Sequence, residues 1–579
     1  MSDSPNGMRE RDARPAALNL SEDSKKFSLV SLTVQTPTSQ QAPGTITRTP
    51  PPARWNTPEF IIYGVLFVIV FPMMVYSPMQ LSLESHPNYH LFKHKLSKGW
   101  IPGRLVDNSD SQYRSIRGNL LNLTLLALAH LGLSRLYGLL ASSFGSRATG
   151  KKSDNLHRIP FMAMFAVALV IGLHGASSLK VFAIIGGNYF LAKQLGGSRI
   201  APLILWTVNI MVLLCNEIYD GYSFSSVHSS LGFLDGYRGF YPRWHISFNI
   251  TMLRLLSFAM DYHWAKTNST SHSPVPLNIR QRTSTSHHLA NYNFVNYVAY
   301  TLYPPLYIAG PIMTFNDFYW QLRRPIYIKR DALLSYAIRF LICLLTMETI
   351  LHYMYMVAIK DTKAWNGDSL MQLCMIGFWN LIIVWLKLLI PWRFFRLWAL
   401  ADGMEPTENM IRCMANNYTV AGFWRGWHRS YNQWLIRYIY VPLGGSSNVI
   451  LATLVSFTFV ALWHDLQLRL LVWGWLLTLF ILPEMILGRV FNAKQYGGYW
   501  WYRHLRALGG VGNILMLMIA NLVGFVMGLD GVQYLFGQLV GSWDGVGFLL
   551  VVVACLWIGV QFMLEYREEE RRRGIYRKC

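Results

Sequence analysis

The sequence predicts an all-α, polytopic integral membrane protein, a bundle of roughly eleven to thirteen membrane helices. Three observations carry this. Only 14% of the 579 residues are charged and 52% are hydrophobic, whereas soluble domains carry about 25% charged residues. The hydrophobic residues gather into runs near the ~20 that span a bilayer. Most of the basic residues behind a net charge of +22 fall between those runs, where they hold the cytosolic side and face anionic lipid. The charge therefore needs no nucleic-acid partner.

Residues 1–57 are rich in Ser, Pro, Thr and Gln and poor in large apolar side chains, which predicts a disordered tail. The tail lacks the apolar core of a secretory signal, so the first span serves as the insertion signal. A multispan domain over 58–565 follows. Its strong runs are 59–80, 120–140, 333–359, 370–390, 449–463, 468–482, 514–528 and 546–563, and its weaker ones 159–195, 202–218, 245–263 and 294–312. The run 159–195 is too long for one span and short for two, which leaves the side of the N-terminus open. Two polar segments interrupt the runs, 81–118 with Val106-Asp107-Asn108-Ser109-Asp110, and 267–288. Residues 566–579 alternate Glu and Arg blocks and read as a solvated helical tail. The six cysteines are scattered, without the paired spacing of a disulfide framework or thiolate metal site.

Taking the C-terminus as cytosolic orients the second half. The loop 530–544 then lies on the far side and holds no Lys or Arg. The cytosolic loop 484–508 carries Arg489, Lys494, Arg503 and Arg506, and 392–445 carries Arg393, Arg396, Arg412, Arg425, Arg429 and Arg437. The run 449–463 delivers His464 toward the luminal leaflet, whereas His428 is entered from the cytosol.

Ionisable groups at membrane depth are costly and belong to sites or pathways, and two histidines stand out. Trp424-Arg425-Gly426-Trp427-His428-Arg429-Ser430 leads into Tyr440-Val441-Pro442-Leu443-Gly444-Gly445, and His464 closes a long apolar run. Trp424, Trp427, His428, Tyr431 and Leu435 recur at helical spacing and predict one helix face. Asn432, one turn beyond His428, is placed to orient its ring. Arg425 and Arg429, also one turn apart, predict a cationic patch for phosphates. Pro442 and Gly444-Gly445 end the element, and Ser446, Ser447 or Asn448 can cap the next span. A neutral imidazole in an apolar setting can accept a hydroxyl proton, which makes His464 the candidate general base. Asp465 points about 100° away along the helix and is not assigned to it.

Other features read as bland. His86, His90, His94, His287 and His288 sit in polar loops with no carboxylate at ligand spacing, so no metal site is expected. His263 and His352 read as interfacial. His245 repeats the pattern in Trp244-His245-Ile246-Ser247, but no Pro-Leu-Gly-Gly turn follows it. Arg393, Arg396, Arg425 and Arg429 fit either phosphates or simple positive-inside placement. Asn268-Ser269-Thr270 is a glycosylation acceptor pattern in a loop expected in the lumen.

The segment 390–480 resembles the membrane-bound O-acyltransferase family, through Trp424-x-x-Trp427-His428-x-Ser430, Tyr440-Val441-Pro442-Leu443-Gly444-Gly445 and Leu462-Trp463-His464. Three further segments are similar to its fungal glycerol uptake branch, related to hedgehog acyltransferase. They are Val106–Asp110, Tyr303-Pro304-Pro305-Leu306-Tyr307-Ile308-Ala309-Gly310-Pro311, and Asp402-Gly403-Met404-Glu405-Pro406 continuing as Glu408-Asn409-Met410. The resemblance implies a helical bundle around a tunnel, with His464 catalytic and His428 the second polar position. Around them Asn432, Trp424, Trp427 and Trp463 would position substrate, and Arg425, Arg429 and Arg396 would meet acyl-CoA. It implies acyl-CoA as co-substrate with no further cofactor, a lipid acceptor such as lyso-GPI, and the endoplasmic reticulum membrane. A glycerol–proton symporter is the alternative, although no inverted repeat is seen in the sequence. Protein acylation of the hedgehog-acyltransferase kind is a third reading.

Overall fold

Lipid offers backbone N–H and C=O groups no partners, so apolar runs of this length fold as helices that satisfy themselves. The computed structural model describes residues 51–145, 154–267, 279–464 and 468–577, and these are mostly helical. Two three-residue strands, Leu96–Lys98 and Leu105–Asp107, pair antiparallel with Leu96 opposite Asp107. Most of the 1–57 tail, the Asn268-Ser269-Thr270 pattern and Asp465 lie outside the described residues.

Nine helices among the described residues are long and apolar enough to cross a membrane, fewer than the eleven to thirteen expected, and the difference has physical sources. The Leu156–Leu195 stretch counts once but consists of two limbs, Ile159–His174 and Ser178–Leu195. Gly175 joins them at φ +57, and a Cβ there would lie 2.3 Å from the Tyr237 carbonyl oxygen, so only glycine fits the turn. The Val449–His464 helix is apolar but has 16 residues. The Trp244–Thr267 helix is long, yet protein surrounds it, so it carries buried polar groups such as Arg254 and Asp261 that lower its hydropathy. The 294–312 run is not a span: it folds as the short buried helices Phe294–Thr301 and Pro304–Tyr307, divided before Pro304.

Both ends of the described chain lie on one face. The Arg54 backbone N–H donates to Glu565 at 3.0 Å, and the Arg572 guanidinium to the Pro51 carbonyl at 2.8 Å. The loop after the Leu370–Ala401 helix joins them, with Arg412 paired to Glu570 at 2.6 Å and Arg567 donating to Asn416 at 2.6 Å. The charged C-terminal residues are therefore docked rather than solvated, with Arg567 and Glu570 buried. The Ile279–Ser284 helix, which follows the Asn268 pattern, is tied to the same face by Arg282, 2.8 Å from Asp317 and 3.8 Å from Glu405.

The Leu370–Ala401 helix is the pillar of the bundle. Of its apolar window 67% is buried, against 11% for the Pro58–Leu81 and Trp543–Arg572 helices. Most of the core falls into two large apolar clusters, one around the Trp244–Thr267 helix and one around the pillar, with two small ones beside them. Ile308, Met414 and Trp427 pack against both. The motif segment thus sits on the seam, where side chains of both halves converge.

Candidate active site

Between the pillar and the Val449–His464 helix the chain folds as short pieces, Val420–Gly426, Arg429–Leu435 and a π turn Ile436–Tyr440. None is long enough to cross a bilayer. The first is capped by Thr419, whose Oγ1 accepts from the Gly422 N–H at 3.0 Å, and by Glu484, which accepts from the Val420 N–H at 2.6 Å. The turn that follows the last reaches Gly444, at φ +100, where a Cβ would lie 2.7 Å from Asn448 Nδ2. The Asn448 amide bonds back to the Leu443 carbonyl at 3.3 Å.

The spacing of Trp424, Trp427, His428 and Tyr431 predicts one continuous helix, but the structure breaks it at the histidine. Trp427 is extended, and His428 is left-handed at φ +41 and ψ 50. Few non-glycine residues hold that conformation, which costs of order 1 kcal/mol and persists where the surroundings impose it. Here the surroundings are the Asp402–Arg412 loop: the Arg429 N–H donates to the Asn409 carbonyl at 3.0 Å, and the Ser430 N–H to Asn409 Oδ1 at 3.2 Å. Ser430 Oγ in turn accepts from the Ile312 N–H at 2.9 Å, and Thr407 bonds Gln433 at 3.1 Å.

This break turns the His428 ring into a box of aromatic side chains. It stacks on Trp392 at 4.4 Å and 8°, meets Tyr431 at 5.1 Å and faces Trp463 at 6.4 Å. Burial, and after it the charge of His464, push the His428 imidazole down to about 3, so the ring is neutral at ordinary pH. The same coupling shows that the two histidines lie within electrostatic reach, with Trp463 touching both at 6.4 and 5.0 Å. His464 closes the apolar Val449–His464 helix and is exposed on the protein surface.

Three buried donors beside this box have no hydrogen-bond partner among the described residues: Tyr431 Oη, Asn409 Nδ2 and Trp424 Nε1. Buried polar groups in folded proteins are normally paired, so these three stand out among the described residues.

The remaining predicted residues divide. Trp424 packs on Phe457 and Trp473, and Trp427 on Phe423, so both build the wall behind the site. The Trp463 indole donates to the Asn249 carbonyl at 3.0 Å, which fixes its ring against Tyr431 at 4.7 Å. Asn432 gives His428 its backbone N–H, donated to the His428 carbonyl at 3.0 Å; no bond from its side chain to the ring is found among the described residues. Arg425 is exposed and Arg429 buried, on opposite sides of the break, so they do not form one patch. Arg396 is buried and already committed, to the Pro406 carbonyl at 2.9 Å and Glu408 at 3.2 Å, a partner Arg393 shares at 3.8 Å. Its role is to hold the loop that carries Asn409, in place of the phosphate contact expected. Sequence reasoning missed Asn409, although it lies in the Glu405–Met410 stretch, and Trp392, whose only signal is the preceding Pro391. A groove lined by Pro160, Ala163, Met164, Val167 and Val295 lies away from these residues and is wholly apolar.

Nine helices long and apolar enough to cross a membrane among the described residues define an integral membrane protein with many spans. The chain belongs to the membrane-bound O-acyltransferase family, whose model matches residues 198–529, and it is a multi-pass membrane acyltransferase. It is 44% identical over 542 residues to the membrane-bound O-acyltransferase GUP1 of Saccharomyces cerevisiae, covering 91% of this chain and 94% of that one. It is 40% identical to gup1 of Schizosaccharomyces pombe, over 92% of each chain. A more distant relative is the protein-cysteine N-palmitoyltransferase Rasp of Drosophila melanogaster, 21% identical over 70% of this chain and 76% of that protein.

Proposed function

We propose that this acyltransferase moves a long fatty acyl chain from acyl-CoA to a lipid hydroxyl at the endoplasmic reticulum membrane, the acceptor being a lyso-GPI anchor. One observation carries the chemistry: two histidines from separate segments face one aromatic wall, His428 neutral and His464 accessible. His464 takes the proton of the acceptor hydroxyl as its oxygen attacks the thioester carbonyl, and the neutral His428 donates its ring N–H to the carbonyl oxygen. The C–S bond breaks, and the proton on His464 passes to the departing thiolate. Transfer is direct, because no Ser or Cys in these motifs stands as a nucleophile paired with a base. No cofactor is required beyond the acyl-CoA co-substrate.

The docked C-terminal face is read as cytosolic, so acyl-CoA enters from the side of the Asp402–Arg412 loop, where the exposed Arg425 can meet its phosphates. The acceptor reaches His464 from the luminal side through a passage across the bundle. The name of the Saccharomyces relative supports O-acylation. The name of the distant Rasp relative favours, as a second reading, a protein acceptor.

Purified His464→Ala protein should bind acyl-CoA and keep only a small residue of its turnover; wild-type turnover would refute the assignment. Lipidomics of GPI-anchored and secreted proteins from cells lacking the chain separates the acceptors. Uptake of labelled glycerol into liposomes holding the protein alone, without acyl-CoA, would reinstate the symporter reading.

A further inference from the structure

The Asp402–Arg412 loop carries a stretch the mechanism above leaves without a role. Within it Asn409 is 1% exposed, and both of its oxygen acceptors are turned on the first turn of the Arg429–Leu435 helix. His428 occupies the capping position of that helix but contributes no side-chain cap. The Ser430 N–H, which a capping side chain at 428 could satisfy, and the Arg429 N–H beside it are instead satisfied from a residue 19 positions before His428. The consequence falls on the histidine. With the N–H groups of Arg429 and Ser430 fixed from outside, the residue before them must turn left-handed, and φ +41 aims its ring onto Trp392 rather than along the helix.

We infer that Asn409 is a positioning residue for acyl transfer, a clamp that holds His428 in its left-handed conformation and thereby fixes the ring against Trp392 and toward His464. The inference rests on the reading of His428 as part of the active site. Asn409 itself touches neither reacting partner in this role. It acts through the backbone of Arg429 and Ser430, and the loop is held rigid behind it by Arg396, Tyr336 and Glu408, with Tyr336 donating to Glu408 at 2.7 Å.

A displacement of about 1 Å at a reacting group can cost a hundredfold in rate, so the effect belongs in kcat. Full-length Asn409→Ala should lose kcat by tenfold to a hundredfold, with the KM for acyl-CoA unchanged and thermal stability close to wild type. His428 should also become more reactive toward diethyl pyrocarbonate, read by peptide mass spectrometry. Asn409→Asp keeps an acceptor oxygen for Ser430 and should recover most of kcat. Should the alanine variant not fold, Asn409→Ser, which fits the same space but cannot reach Ser430, gives the same reading against Asn409→Asp. Wild-type kcat in a folded Asn409→Ala or Asn409→Ser protein overturns the clamp, as does a loss shared equally by KM, or unchanged His428 reactivity. His428→Ala measured alongside separates the failures: if it too is fully active, the reading of His428 has failed, and if it alone is inactive, the clamp has.

Discussion

The chain presents the same pattern twice, Trp-His-x-Ser at 244–247 and at 427–430, and the two copies have become different objects. His245 is the second residue of a regular helix. Its Nε2 sits 3.1 Å from Asp220, whose side chain is 86% exposed, and the neighbouring Trp244 indole donates to the Gly221 carbonyl at 3.1 Å. That copy pins a turn to a helix end. His428 interrupts its helix, lies flat on Trp392, and feels the charge of a second histidine. The pattern supplies a ring and a hydroxyl; a loop that bends the backbone and a facing helix end that brings His464 turn one copy into a site.

The comparison can be broken most severely by removing each ring. His428→Ala should lower acyl transfer about a hundredfold or more, whereas His245→Ala should leave turnover at the wild-type level. Equal losses would erase the distinction drawn between the copies. A smaller contrast separates the arginines. Arg396→Ala breaks a buried pair with Glu408 and should cost about 3 kcal/mol of stability, seen as a lowered melting temperature in detergent. Arg425→Gln should leave melting unchanged and raise the KM for acyl-CoA by less than about tenfold. Melting losses of the same size in both would return Arg396 to the surface. The smallest effect concerns pH. His428, pushed down to about 3 by burial and by His464, is neutral at every pH from 5 to 9 and protonates only far below that window. His428→Asn, another neutral polar group, should therefore slow the reaction without moving the acid limb of its pH–rate profile. A shift of that limb would assign it to His428.

Much of this was written in the sequence where the signal is local. Runs of some twenty apolar residues specify helices in lipid whatever surrounds them, which is why the class of fold could be read. The double glycine after Pro442 announced the turn that Gly444 makes. Contacts distant in sequence were not readable. The spacing of Trp424, Trp427 and Tyr431 is that of one helix, and nothing nearby says that Asn409 bends it at His428. Alternating Glu and Arg past residue 565 suits a solvated tail as well as a docked one, and Arg412, Arg503 and Asn416 decide between them. Arg396 looked available because its partner Glu408 lies twelve residues on, across the helix end. Two limbs hid inside one long run because the turn between them depends on how closely the Tyr237–Gly239 backbone approaches Gly175.

The central claim is that His428 and His464 form a single catalytic unit. A double-mutant cycle on kcat, with His428→Ala, His464→Ala and the pair in purified protein, addresses it directly. Groups acting on one transition state are strongly non-additive, so the double variant should be no slower than His464→Ala alone. Losses that multiply, each histidine contributing its full factor whether or not the other is present, would show two independent groups and contradict the account.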